Sequence, residues 1–290
     1  MVGMKEYHRP KTVKEAVELL KRHGKKAKLI AGGTDVMVLL RAEKVTPEHL
    51  VSINAIPALR KLTFTAKAGL SIGPLVTYSD LLERAVVCEH YPILAQAAGL
   101  IGARQVQNVG TIVGNLCHAS PSADMGPPLL ALDAQVEISG PAGARTLPLQ
   151  KFFVGPNQTA LRAGEMVTAV LVPPPARASG SCFLKHGLRG QLEIAMVSAG
   201  VSLTMRNGAV ARARIALGAV APVPMRAEKA EKLLTGQPFS DGLCREAAAS
   251  AAKECKPITD FRCSAEYRRE MVEVFTRRAL QQAAKVAQAG

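Results

Sequence analysis

The chain of 290 residues is 48% hydrophobic and 21% charged, a balance that sustains folded cores and excludes a disordered or fibrous protein. Its length predicts two or three domains. The formal charge of +14 is high, but the basic residues are scattered and only four tyrosines, seven phenylalanines and no tryptophan are available for base stacking, which argues against nucleic-acid binding.

In chain order, Thr12 and Glu15 stand at capping-box spacing, Val13, Ala16, Val17 and Leu20 form one apolar stripe, and Gly24 follows, so the first element is a helix. Ala27 to Ala31 reads as a strand running into Gly32-Gly33-Thr34-Asp35, where Thr34 or Asp35 is placed to cap a short helix through Leu40. Val51 to Ile53 reads as another strand, completing a small α/β unit over residues 1–55. Leu70 to Gly73 predicts a strand, "TYSDLLERAVV" a helix capped at Thr77 or Ser79, and "YPILAQAAGLIG" a helix opening near Pro92 and ending at Gly102. "AQVEISGPAGARTLPL" reads as a hairpin turning at Gly-Pro. "EMVTAVLVPPP" reads as a strand stopped by Pro173 to Pro175, where a second domain, 56–175, is expected to end.

The last third, 176–290, opens with the strands "CFLKHG" and "IAMVSAGVSLTM", the latter turning at Asn207-Gly208 into "AVARARIALGAV". Helical patterns follow around Met225 to Leu234, Leu243 to Lys253 and Ala265 to Ala287. The last sets Tyr267, Met271, Val274, Phe275 and Leu280 among Arg268, Arg269, Arg277 and Arg278, which predicts an amphipathic helix with a solvated basic face.

Two glycine-bearing stretches are not explained by periodicity. One is "AGGTD", between a strand and a helix; the other is "NVGTIVGNLCHASPSAD" (Asn108 to Asp124), which reads as a long loop. Glycines let main-chain N–H groups approach a ligand closely, and successive N–H groups form nests for phosphate oxygens. The plainer alternatives are a tight turn and a wide turn held by Asn and Ser side chains. Taken together, the two loops suit the ends of a diphosphate. Neither G-x-G-x-x-G nor G-x-x-x-x-G-K-[ST] occurs, which disfavours a Rossmann fold and a P-loop. H-E-x-x-H and G-x-S-x-G are also missing, and no Cys–His dyad is legible. The stretches point to a bound dinucleotide that carries the chemistry, with the protein as its cradle.

The six cysteines include no C-x-x-C pair, and no His-x3-5-His partner accompanies them, so no metal site is expected in this chain and the thiols are read as free. No apolar run reaches the length of a membrane span, and the first twenty residues lack the apolar core of a secretion signal. The expected location is the cytoplasm.

Beyond these readings, "AGGTDVMVLL", "GTIVGNLCHASPSADMGPPLLAL", "FFVGPNQTALRAGEMVTAVLVP", "FLKHGLRGQLEIAMVSAGV" and "ITDFRCSAEYRREMVEVFTRRAL" fall in the order seen in one family. From end to end the chain resembles the FAD-binding medium subunit of the molybdenum hydroxylases, the xanthine dehydrogenase and carbon monoxide dehydrogenase family. The resemblance implies an α+β fold of the vanillyl-alcohol-oxidase type. Two α/β subdomains enclose FAD, and a C-terminal domain of antiparallel strands and helices follows. It assigns the FAD diphosphate to Ile30, Ala31, Gly32, Gly33, Thr34, Asp35 and Val36 together with Thr111, Ile112, Val113, Gly114 and Asn115. Asp124 matches the position that bonds the ribityl or ring region, and Val167 and Lys185 match positions near the isoalloxazine ring. Val113 departs from the family's Thr-Ile-Gly-Gly-Asn, so its side chain must point away from the phosphates, or that glycine needs no positive φ. The cysteine-rich insertion of the medium subunit of 4-hydroxybenzoyl-CoA reductase has no counterpart, and no iron–sulfur cluster is expected.

The implied role is electron transfer. A large subunit with the molybdenum cofactor would oxidise substrate, and a small subunit with [2Fe-2S] clusters would pass electrons to FAD here. An external acceptor such as NAD+, oxygen or a quinone-type carrier would take them, in an assembly expected to be a dimer of heterotrimers. Two alternatives are a self-sufficient flavin reductase or oxidase, which needs an acid or base over the flavin, and a scaffold subunit with a decayed flavin site, for which Val113 is the hint.

Overall fold

A computed structural model describes residues 3–190 and 192–289, and it shows three larger sheets, each with its own helices, and one two-stranded sheet. The first unit comprises β1 (Glu6–His8), α1 (Val13–His23), β2 (Ala27–Ile30), α2 (Val36–Arg41) and β3 (His49–Ser52). Its strands form a parallel sheet in the order β1-β3-β2. Thr12 caps α1, accepting from the Glu15 N–H at 3.1 Å, while the Glu15 carboxylate turns back to the N–H of Lys11, one residue upstream of a full capping box. Asp35 stands at the N-cap of α2 without bonding it through its side chain. Ala16, Val17 and Leu20 pack on Val51 and Ile53, and this small core is completed by Leu75 and Met166 from farther along the chain.

The second unit begins with β4 (Leu62–Thr65) and β5 (Gly69–Ile72). A run of short helices follows: α3 (Tyr78–Leu82), α4 (Ala85–His90), α5 (Pro92–Gly99), α6 (Arg104–Gln107), α7 (Ile112–His118) and α8 (Gly126–Ala131). It closes with β6 (Gln135–Gly140), β7 (Gly143–Pro148), the small hairpin β8 (Phe153–Gly155) and β9 (Gln158–Thr159), and β10 (Met166–Val172). The main sheet is antiparallel, in the order β4-β5-β10-β6-β7. Its apolar positions, Ile72, Val136, Ile138 and Val170 among them, are buried with Leu81, Ile93, Leu94, Leu116 and Leu129 of the helices. Thr77 and Asp80 cap α3 reciprocally. The helix after Pro92 ends at Gly99 rather than at Gly102, which instead takes φ +55° in the following turn.

The third unit is a meander of β11 (Ser179–His186), β12 (Val197–Arg206), β13 (Ala209–Gly218) and β14 (Met225–Arg226). It is backed by α9 (Glu228–Leu234), α10 (Asp241–Glu254) and α11 (Ala265–Ala289). Asn207 and Gly208 turn β12 into β13 with φ of +51° and +77°, the positive pair that Asn-Gly adopts readily. Met225 and Arg226, read from sequence as helical, pair with β13 as a strand, and the helix starts at Glu228. The sheet is sandwiched. One face packs on α10 and α11 through Val197, Ala199, Val201 and Leu203. On the other, Gly200 and Gly218 leave room for Pro127 of α8, which an added Cβ at either glycine would approach within 3 Å.

Charges also link the second and third units. Asp133, just after α8, receives Arg226 at 2.8 Å and Arg214 at 2.9 Å as well as Arg212, and Arg226 continues to buried Glu231. The basic face predicted for α11 requires a correction at Arg268. That side chain is 3% exposed, donates to the Met196 carbonyl at 2.6 Å and the Ala219 carbonyl at 3.2 Å, and pairs with Asp260 at 2.9 Å. Its neighbours Arg269 and Arg277 sit among polar positions that gave no sign of this difference.

Candidate functional site

The glycine stretch after β2 is shaped first by its contact with the second stretch. An added Cβ on Gly32 would lie 1.8 Å from the Val109 carbonyl oxygen, so only glycine lets the two main chains meet. Gly33 takes φ +79°, which aims the chain back toward α2. The second stretch is not the long loop expected from sequence. Gly110 accepts from the Tyr78 N–H, Thr111 bridges to Thr77, and the Ile112 N–H bonds the Val76 carbonyl. The chain then forms α7, with Thr111 as its cap accepting from the Gly114 N–H at 3.0 Å. Position 113 therefore lies inside a helix and needs no positive φ, and Val113 is 4% exposed in the core of the second unit. The departure from the family pattern is absorbed by the core.

Between the two stretches lies a cavity of about 320 Å³. Ile30, Ala31, Gly32, Gly33, Thr34, Asp35 and Val36 line it from one side, and Thr111, Val113, Gly114 and Asn115 from the other, with Val167 at the wall. Ile112 is fully buried and faces the core instead. Asp124 and Lys185 are not part of this lining. They form an ion pair of their own, Nζ to Oδ2 at 2.7 Å, with side chains 11% and 7% exposed. Lys185 reaches it from β11, at the edge of its sheet, and also lies 3.4 Å from the Leu100 carbonyl. Asp124 Oδ1 is buried without a hydrogen-bond partner. Burial raises the Asp124 carboxyl above its usual range, and Lys185 pulls the other way.

Two lining residues, Lys28 and Asn157, went unnoticed in the sequence, whereas Cys117 and His118 stood out beside the second stretch and read as small or packing residues. Lys28 projects from β2 and is an exposed cation at the wall; nothing in its local pattern marks it. Asn157 takes φ +57° and its side chain donates to the His118 carbonyl at 3.1 Å, which the "GPN" turn chemistry could have suggested. His118 Nε2 lies 3.9 Å from Asp35 Oδ1, which brings side chains of the two stretches together. Cys117 also lines the cavity, and burial pushes its thiol up to about 12, which keeps it neutral.

Glu165 supports the wall beside Met166 and Val167. Its carboxylate takes Arg145 through paired bonds of 2.8 and 2.7 Å and the Arg162 N–H at 2.7 Å. The Arg145 hydrogen bonds hold the carboxyl below its usual range against the opposing effect of burial. A lowered folded value makes the stabilisation complete above the unfolded pKa and lost as pH falls through the folded one. Glu165→Gln is therefore expected to cost about 2 kcal/mol at neutral pH, with the deficit vanishing well below the carboxylate's ordinary 4.5. Denaturant titrations of both proteins across a pH series would read this, and a deficit that persists unchanged in acid would contradict it.

These features suit a dinucleotide: two backbone stretches that touch through glycine, a positive φ at the turn and a flanking lysine. The fold and the cradle define a dinucleotide-binding domain followed by a C-terminal sheet-and-helix domain. Residues 3–175 match the family described as the FAD binding domain in molybdopterin dehydrogenase, and residues 183–283 match the CO dehydrogenase flavoprotein C-terminal domain. The xanthine dehydrogenase FAD-binding subunit of Escherichia coli O157:H7 is 32% identical over 288 residues, covering 99% of this chain and 98% of that protein. The carbon monoxide dehydrogenase medium chain of Hydrogenophaga pseudoflava is 36% identical over 275 residues, 95% of each. The solved carbon monoxide dehydrogenase of that organism lacking the Mo-pyranopterin moiety superimposes with a TM-score of 0.95 at 36% identity, covering 99% of both chains. Quinoline 2-oxidoreductase of Pseudomonas putida 86 gives a TM-score of 0.91 at 30% identity, over 98% of both.

The chain belongs to the FAD-binding medium subunits of the molybdenum hydroxylases, the xanthine dehydrogenase and carbon monoxide dehydrogenase family. It is thus an oxidoreductase subunit whose cofactor is FAD. Among the described residues, no helix is long and apolar enough to cross a membrane.

Proposed function

We propose that this chain relays electrons within a molybdenum hydroxylase, receiving them from [2Fe-2S] clusters of a small subunit and delivering them to an external acceptor. FAD, when bound, supplies the redox chemistry; the chain's residues bind, orient and shield it. The stretches Ile30 to Val36 and Thr111 to Asn115 hold the diphosphate. The observation that carries this reading is the glycine-only contact between Gly32 and Val109, which fixes both stretches around one cavity. The helices that follow the stretches have six and seven residues, so attraction to the diphosphate rests on main-chain N–H groups and Lys28 more than on a long helix dipole.

Asp124 and Lys185 stand at the isoalloxazine end. The spare Oδ1 of Asp124 accepts from the ribityl or ring region, and Lys185 opposes the burial that raises this carboxyl while placing a cation near the ring. The large molybdenum subunit binds substrate, so this chain contributes no acid or base to it. The assembly is a dimer of heterotrimers, located in the cytoplasm, a setting that suits six free thiols. Domains run over 1–55, 56–175 and 176–290, in keeping with a separate core for each sheet.

The test is the visible spectrum of the purified chain, followed by reduction in the presence of the small subunit. Near-stoichiometric, heat-releasable FAD that is reduced only when the cluster subunit is added supports the relay. Turnover of an organic substrate by the chain alone, or failure to take up added FAD, would sink it.

A further inference from the structure

Three of the chain's six histidines gather on the first unit, and nothing in the flavin role uses them. His8 ends β1, His23 ends α1 and His49 begins β3. One nitrogen from each ring lies within 4.8 Å of the other two. His8 Nε2 and His49 Nδ1 are 3.1 Å apart, and the ring of His23 stacks on that of His49 with centroids 3.7 Å apart. Glu6 brings a carboxylate oxygen to 3.6 Å from His8 Nε2 and 3.9 Å from His49 Nδ1.

We propose that His8, His23 and His49, with the Glu6 carboxylate as fourth ligand, form a structural site for a borderline divalent transition ion, zinc foremost. Nitrogens bound tetrahedrally to zinc at 2.0–2.1 Å stand about 3.3 Å from one another. The His8–His49 pair already has that separation, and a rotation of the His23 side chain off its stack closes the third position. Three imidazoles and one carboxylate suit zinc, copper or nickel, whereas calcium and magnesium require oxygen ligands. The histidine side chains from the two strands are 12% and 14% exposed, and Glu6 remains 61% exposed, so an ion can enter past the carboxylate.

The charges around the site are compatible with a cation. Lys5 and Lys26 are both engaged by Glu48, at 2.7 and 3.0 Å. Arg22 is the opposing charge beside the cluster, and Glu6 and Glu48 offset it. The ion would join β1, α1 and β3. Because β3 pairs with β2, which leads into Gly32, the site would steady the strand from which the cradle is hung. No local spacing rule detects such a site: His8 and His49 are 41 residues apart.

The test uses the full chain, stripped with a chelator and titrated with zinc chloride by calorimetry and with cobalt(II) by visible absorption. One ion per chain at a Kd of about 1 μM or tighter is expected, with cobalt bands of tetrahedral nitrogen and oxygen ligation. His23→Gln and His49→Gln should each weaken zinc at least tenfold, while His90→Gln, outside the cluster, should leave it unchanged. Far-UV circular dichroism and flavin content check that the variants are folded. Uptake that is absent at micromolar zinc, unaltered in the cluster variants, or accompanied by purely octahedral cobalt spectra in the unmodified chain would overturn the site. The cobalt measurement needs no variant, so a folding defect cannot leave the question open.

Discussion

Gly32→Ala is expected to lower the FAD affinity of the chain at least tenfold and its stability by about 2–3 kcal/mol. The new methyl carbon would sit 1.8 Å from the Val109 carbonyl oxygen and 2.7 Å from its carbonyl carbon. Both are main-chain atoms, so neither can rotate aside. Relief requires the two stretches to part, and they are the opposite walls of the cavity. Gly33→Ala provides the contrast. Its nearest neighbour is the flexible tip of Ile30 at 3.2 Å, and its penalty is that of a non-glycine residue at φ +79°, about 1 kcal/mol. Flavin content and denaturation midpoints of the two variants should separate clearly. Full FAD occupancy and unchanged stability in Gly32→Ala would remove the central support for the cradle.

The second large effect concerns the buried pair of Asp124 and Lys185. Lys185→Met is expected to cost about 3–5 kcal/mol at neutral pH, because it leaves a carboxylate with both oxygens desolvated. Burial raises the Asp124 carboxyl even with lysine present. A raised folded value means that the folded chain holds its proton more tightly, so stability declines as pH climbs past the unfolded value of 3.8. The Lys185→Met deficit should therefore shrink in acid, opposite in origin to the acid loss at Glu165. The double variant Asp124→Asn, Lys185→Met should recover much of the loss, and a double-mutant cycle gives the coupling. If Lys185 stands near the flavin ring, its removal should also lower the potential of bound FAD. Each 1.4 kcal/mol of lost charge stabilisation is about 30 mV for a two-electron couple. A potential unchanged in a folded, FAD-loaded variant would assign the pair to stability alone.

What could be read from the sequence was what local chemistry dictates. The caps at Thr12 and Thr77 and the Asn207-Gly208 turn follow from side-chain geometry within a few residues, and the structure contains them. The glycines of the cradle also stood out, although the reason for Gly32 is a main-chain contact with a segment far along the chain, and sequence suggested a tight turn or a close approach to a ligand. The run 108–124 reads as a loop, yet Ile112–His118 within it is a helix. A seven-residue helix carries little signal of its own; α7 forms because Thr111 caps it and because Ile112, Val113 and Leu116 are drawn into a core made by other elements. Pairings across long separations left no trace either. Asp124 and Lys185 are 61 residues apart, and Arg268 looked like its solvated neighbours until Asp260 and two carbonyls surrounded it. Resemblance to the family marked Asp124 and Lys185 singly, and only the fold joins them.

The small core of the first unit has a consequence for the order of events during synthesis. That core takes in Met166, the first residue of β10, and the adjoining cavity takes its wall from Val167. An emerging polypeptide that has delivered both glycine stretches still lacks the residue that seals their platform. A ribosome-bound segment ending near residue 130 should thus be unable to retain flavin, however long it waits. Capture of the cofactor belongs to the interval after β10 has cleared the exit tunnel, when one strand completes two hydrophobic cores at once.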